Sequence, residues 1–128
     1  MNETDNQKLL QEAHDNVPRL SFKEANNIIS KVNTLIINVR ETSEIEATGL
    51  IKNAVNIPKS IIDANFDHSL IKNRLNDNED ITIFVYCAVG VRSALVGHKL
   101  IKHGYKKVFN LGGIAEWASS NGPIETID

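Results

Sequence analysis

The stretch from Ile81 to His103, ITIFVYCAVGVRSALVGHKLIKH, limits what this chain can fold into more than any other. Its first part, Ile81 to Tyr86, is a run of β-branched and aromatic residues, which predicts a strand buried on both faces. From Ser93 the pattern turns helical. Ala94, Leu95, Leu100 and Ile101 supply an apolar face, Ser93 is a candidate cap, and Gly104 stands just past the end, where a left-handed residue is wanted. Between strand and helix lies Cys87-Ala88-Val89-Gly90-Val91-Arg92. A short loop from a buried strand into a helix turns its amides towards one spot, and the helix N-terminus adds partial positive charge there. The only cysteine of the chain sits at the mouth of that loop.

At 128 residues the chain suits one domain able to build a core without covalent staples. Fourteen Lys plus Arg against sixteen Asp plus Glu give a formal charge of -2 with no long basic run, which argues against nucleic acid or a membrane as a partner. Any anion site must be local. A single cysteine excludes an internal disulfide, and a free thiol fits a reducing compartment. The opening MNETDNQKLLQEAHDN is polar and acidic, unlike a signal peptide, and no apolar run has membrane-spanning length. The expected location is therefore the cytoplasm.

In chain order, Thr4 to Asp15 has helical composition with a thin stripe of Leu9, Leu10 and Ala13, weak enough to predict a frayed or loosely docked helix ended by Pro18. Ser21 with Glu24 has capping-box spacing and opens a helix whose apolar face is Phe22, Ala25, Ile28, Ile29 and Val32. Thr34 to Val39 reads as a central strand, followed by a polar turn, a short helix through Ala47 ended by Gly49, and a shorter strand over Ala54 to Ile57 before Pro58. Ser60 to Ala64 and Ser69 to Leu75 each have helical character around the polar Asn65 to His68, and Asn76 to Asp80 is a turn. Lys107 to Leu111 predicts another strand, Gly112-Gly113 a turn, and Ile114 with Trp117 a last helix stopped by Asn121-Gly122-Pro123. Strands alternating with helices imply a parallel sheet covered on both faces, with ligands bound beyond the carboxyl ends of its strands. Cys87 lies at such an end.

A cysteine closing an apolar strand is, without context, more often core than nucleophile. Here the loop also holds Gly90, which lets the backbone curl its amides inward, and Arg92, whose planar fork suits an oxyanion. Amides, helix dipole and Arg92 all favour thiolate, so the thiol is expected to move from ~8.5 into the activated range of about 3.5–7.5. No His, Asp or Glu in the loop offers a general base, as suits a thiolate made by electrostatics.

At these residues the sequence resembles the rhodanese family in its single-domain form. Cys87-Ala88-Val89-Gly90-Val91-Arg92-Ser93 is similar to that family's active-site loop. Ile37-Asn38-Val39-Arg40-Glu41 with Glu44 resembles its Asp-Val-Arg-Glu segment, and Ala54-Val55-Asn56-Ile57-Pro58 its Ala-Ile-Asn-Ile-Pro segment. Gly104-Tyr105 through Val108, Leu111-Gly112-Gly113 and Trp117 resemble its closing motif. The resemblance runs from Ser21 to Ile124 and implies a rhodanese-like α/β fold with a central parallel sheet of about four to five strands and helices on both faces. Residues 1–20 are then an N-terminal extension, expected to be helical, and residues 21–128 the rhodanese-like domain. It also implies a sulfurtransferase in which Cys87 takes a sulfane sulfur as a persulfide and hands it to a thiol or cyanide. Ala88, Val89, Gly90, Val91, Arg92 and Ser93 would bind the anion, Asn38 and Arg40 would support the loop, and no cofactor is required.

Loop length bears on the reaction class. Cys87 through Arg92 has sulfurtransferase spacing, whereas the related dual-specificity phosphatases and arsenate reductases carry one residue more, enlarging the cradle to phosphate size. A cysteine phosphatase or arsenate reductase is thus the second enzymatic reading, and a non-catalytic binding or sensor module the third. Asn38 stands where the family usually has Asp, and Leu50 replaces a histidine. Both read as tuning. Arg92 is the loop's only cation, so thiosulfate is expected to be a poor substrate. The apolar Ala88, Val89 and Val91 suit a small sulfane-sulfur donor and equally a partner protein. Arg40 fits a structural ion pair with Glu41 or Glu44 at least as well as a role at the loop. His98 and His103 do not share a helix face, so no metal site is expected. Tyr105 and Trp117 read as packing.

Overall fold

In the computed structural model, residues 3–29, 34–64, 81–87 and 90–125 are described. The buried strand of the opening argument is β4 (Thr82–Cys87), inaccessible at every position; the strands here are numbered in chain order. It pairs in parallel with β1 (Thr34–Asn38) on one side and with β5 (Val108–Gly113) on the other, and β1 pairs in parallel with β3 (Val55–Asn56). The order β3-β1-β4-β5 makes a four-stranded parallel sheet, within the expected range. A second, antiparallel pair is formed by β2 (Leu50–Ile51) and β6 (Ile124–Glu125).

Alternation along the strands sorts the core into two layers. Leu35, Ile37, Ile83, Val85 and Cys87 face one way, packing with Val17, Ile62, Val96 and Leu100. Ile36, Phe84 and Tyr86 face the other, with Ala25, Leu111, Ile114 and Trp117. The first layer is covered by α1 (Glu3–Asn16), α4 (Lys59–Ala64) and α5 (Val91–Lys102), the second by α2 (Phe22–Ile29) and α6 (Ile114–Ser119). Trp117 meets Phe22 edge-on at 4.7 Å between ring centroids, and its indole N–H donates to the Pro123 carbonyl at 3.0 Å. The remaining helix, α3 (Thr42–Thr48), follows β1, and Gly49 ends it as expected.

The capping box at Ser21 is present: Glu24 N–H donates to Ser21 Oγ at 3.2 Å and Ser21 N–H to Glu24 Oε1 at 3.1 Å. Hydrogen bonding from the Ser21 backbone N–H, and then from its side chain, lowers the pKa of the Glu24 carboxyl. Three expectations are corrected. Helix α1 is not loosely docked: Ala13 is fully buried, and Val17, just beyond the helix, reaches the bare backbone of Gly97 on α5. Ser93 does not cap α5, because the helix already starts at Val91 behind Gly90 in the left-handed conformation. Gly112 and Gly113 are the end of β5 rather than a turn after it; Val85 pairs with Asn110 and Tyr86 with Gly112, so Leu111 is an extra residue that carries the strand two positions further. Val32, the segments Asn65 to His68, Ser69 to Leu75 and Asn76 to Asp80, and the loop residues Ala88 and Val89 lie outside the described residues.

Candidate active site

The strand–loop–helix geometry brings two groups to the Cys87 sulfur and a third, Arg92, near the loop. Gly90, at φ 101°, turns the chain so that its N–H donates to Sγ at 3.0 Å. Ser93, in the first turn of α5 and fully buried, places Oγ 3.4 Å from Sγ. Arg92 acts at longer range, since attraction to the Cys87 sulfur is among the causes that raise the Arg92 pKa, behind the dominant hydrogen bonds to Glu44.

Behind the loop stands Asn110, buried in β5. Its Nδ2 donates to the Gly90 carbonyl at 3.0 Å, and its Oδ1 accepts the Ser93 hydroxyl at 2.7 Å and the Gly112 N–H at 2.8 Å. Asn110 therefore fixes the loop's left-handed residue from inside. It also frees Ser93: with Gly112 still on Oδ1, the hydroxyl can turn from Asn110 to a thiolate without leaving a buried acceptor unsatisfied.

Arg92 does not reach for the sulfur with its fork. The fork is bonded bidentately by Glu44 from α3, at 2.6 Å and 2.8 Å, while Arg40 Nε donates to the same carboxylate at 3.4 Å. Two guanidinium groups and the Glu41 N–H, at 3.1 Å, hold the Glu44 carboxyl at about 2, with Arg92 the largest cause. Arg40 thus bears on the loop through Glu44, and its expected ion pair with that residue is present.

Asn38, fully buried at the end of β1, accepts the Arg40 N–H at 2.8 Å and donates through Nδ2 to the Tyr86 hydroxyl at 3.1 Å. Tyr86 also accepts the Ile51 N–H at 2.9 Å, and burial pushes its phenol above the ordinary range. An aspartate in place of Asn38 would instead accept a hydrogen bond from the Tyr86 hydroxyl. Leu50 is half-buried in β2.

Residues 21–120 match the family model described as "Rhodanese-like domain". The chain belongs to the rhodanese-like domain family. A tRNA uridine(34) hydroxylase of Photorhabdus laumondii is 28% identical over 100 residues, covering 77% of this chain and 28% of that protein. The chain thus spans less than a third of the length of that relative. A Rhodopseudomonas palustris structure, described as a protein of unknown function and possible tyrosine phosphatase, superposes with a TM-score of 0.79 at 27% identity, covering 94% of this chain and 93% of the other. The polysulfide-sulfur transferase of Wolinella succinogenes shares the fold with a TM-score of 0.73 at 21% identity, over 98% and 90% of the two chains.

This rhodanese-like domain brings Cys87, Gly90, Arg92 and Ser93 together with Arg40 and Asn38 around one sheet end, while Val91 points outward and is 42% exposed. Asn110 was not foreseen from the sequence. Its signal was a lone amide inside the apolar run Val108-Phe109-Asn110-Leu111, where a buried polar group needs a specific partner. Among the described residues no cluster of three or more His, Cys, Asp or Glu is placed to hold a metal, and no helix is long and apolar enough to cross a membrane.

Proposed function

We propose that this rhodanese-like domain is a sulfurtransferase that carries a sulfane sulfur on Cys87 as a persulfide. The observation that carries the reading is the Cys87 sulfur receiving the Gly90 amide at the start of α5, beside Arg92. In the first half-reaction the thiolate attacks the terminal sulfur of a donor such as thiosulfate. The Sγ–S bond forms as the donor's S–S bond breaks, and its electron pair leaves with sulfite. A thiol or cyanide then attacks the outer sulfur, and the Sγ–S electron pair returns to Cys87. No net oxidation of the protein occurs, and Gly90 and Ser93 steady the sulfur in both halves.

The Glu44–Arg92 pair supports the expectation that thiosulfate is a modest substrate, because a sulfonate must compete with a carboxylate already bonded through both oxygens. The exposed Val91 suits a donor presented on a protein surface as well as a small molecule. Intact mass after incubation with a sulfane donor is expected to rise by one sulfur in the wild type and not in Cys87→Ala, and thiosulfate with cyanide to give thiocyanate only in the wild type. Turnover surviving in Cys87→Ala would remove that residue from the mechanism.

The Rhodopseudomonas likeness favours a second reading, a cysteine phosphatase. The spacing of Cys87 and Arg92 weighs against it, since a phosphoryl group needs three oxygens cradled during in-line attack. Aryl phosphates are expected to be hydrolysed negligibly, and one small residue inserted between Val89 and Gly90 to introduce phosphate or arsenate binding. Efficient hydrolysis by the unmodified chain would reverse the order of the two readings.

A further inference from the structure

Arg19 lies just ahead of the region matched by the family model, and none of the steps above uses it. The chain there pairs with the outer edge of β5: Asn110 N–H donates to the Pro18 carbonyl at 2.9 Å and Leu20 N–H to the Asn110 carbonyl at 3.1 Å. This register carries Arg19 to the back of the Cys87 loop. Its guanidinium covers Gly112, where a Cβ would collide with Nη2, Cζ and Nε, and extends to Gly90, where a Cβ would lie 3.2 Å from Nη1. The same Gly90 position is 3.1 Å from Gly112 Cα, so the two glycine backbones meet under the guanidinium. Glu116, in the first turn of α6, accepts Nη2 at 2.6 Å and holds the group in place.

Gly90 is the residue whose amide meets the sulfur. Asn110 holds its carbonyl from inside, and Arg19 closes over it from outside, joining the N-terminal segment, the loop and the β5–α6 junction. We propose that Arg19 is a positioning residue for the Cys87 loop: it braces Gly90 against Gly112 and so keeps the Gly90 amide on the sulfur. Its consequence for turnover rests on the sulfurtransferase reading, whereas its effect on Cys87 itself does not. A guanidinium suits the place because it is flat enough to lie on two glycines while keeping an edge for Glu116.

The test is the pH dependence of iodoacetamide labelling of Cys87 in the wild type, Arg19→Ala, Arg19→Lys and Glu116→Gln, followed by thiosulfate–cyanide kinetics. Arg19→Ala is expected to loosen the Gly90 amide from the sulfur, to move the labelling midpoint upward by about half a unit and to slow labelling at pH 6 about threefold. Arg19→Lys, which lacks the flat fork, should recover only part of the midpoint, and Glu116→Gln, which loosens the guanidinium on the two glycines, should shift it in the same direction as Arg19→Ala but less. In turnover, kcat should fall more than KM changes. A role confined to packing would lower the melting temperature and leave the pH profile in place, so superimposable profiles overturn the proposal. Should Arg19→Ala fail circular dichroism, Arg19→Lys and Glu116→Gln decide: an upward shift in either supports the proposal, and unchanged profiles in both overturn it. A labelling shift without any sulfur uptake would sink the sulfurtransferase reading and leave the Arg19 inference standing.

Discussion

Glu44 divides its two oxygens among Arg92, Arg40 and the Glu41 amide, and so keeps the loop's cation occupied. Replacing it with Gln retains an acceptor for the amide but removes the charge, so Glu44→Gln is expected to lower the KM for thiosulfate about three- to tenfold by releasing the Arg92 fork. An unchanged KM would mean that Arg92 does not meet the donor. The same pair sets a pH dependence. With the folded pKa at about 2 and the ordinary value at 4.5, the carboxylate's contribution is fully present above 4.5 and is lost as pH falls towards 2. The stability difference between wild type and Glu44→Gln, measured by urea unfolding, should therefore narrow across that window and stay flat above it. Deeper in the site, Tyr86→Phe leaves the Ile51 amide and Asn38 Nδ2 without their shared buried acceptor. That costs about 1–3 kcal/mol per unsatisfied group, read as a lower urea midpoint at unchanged slope.

The elements that sequence reading placed well are those with a strong local pattern. β4 and β1 announce themselves by apolar runs rich in β-branched and aromatic residues, and α2 by its capping box. Cys87, Gly90 and Arg92 stand within six residues of one another, so the strand end, turn and helix start they occupy could be read as one segment. What escaped depends on register between distant segments. Ser93 looks like a cap because serines usually are caps, yet the left-handed Gly90 starts the helix earlier and turns the hydroxyl inward to Asn110. Asn110 and Arg19 reach the loop only because Pro18 to Leu20 and β4 flank β5, and no periodicity encodes that. The docking of α1 likewise hangs on one bare backbone. A Cβ at Gly97 would lie 2.9 Å from Val17 Cγ1 and 3.3 Å from Val85 Cγ2, both on stiff β-branched side chains. Gly97→Ala is therefore expected to destabilise by about 1–3 kcal/mol through overpacking, despite alanine's better helix propensity. A rise in melting temperature would show that α1 can shift without loss.

At the scale of the whole molecule, residues ahead of the family-matched region complete the sheet rather than decorate it. The Pro18 to Leu20 segment takes up hydrogen bonds along the outer edge of β5, and Ala13 and Val17 bury apolar surface against α5. Deleting residues 1–20 would leave that edge open beside a groove at Gly97 and His98, both now buried. An exposed edge strand offers a pairing template to a second chain, and loss of Val17 alone forfeits about 1.5–3 kcal/mol of burial. The shortened chain is expected to melt at least several degrees lower and to associate in a concentration-dependent way. Thermal unfolding and size-exclusion chromatography over a tenfold or wider range of protein concentration measure both. Because Arg19 leaves with the segment, Cys87 labelling should also weaken even in the fraction that stays folded and monomeric. A truncated protein that melts with the full chain, elutes as one species and labels at the same pH midpoint would show that residues 21–128 form the functional unit by themselves, and the N-terminal segment would then have no part in the site.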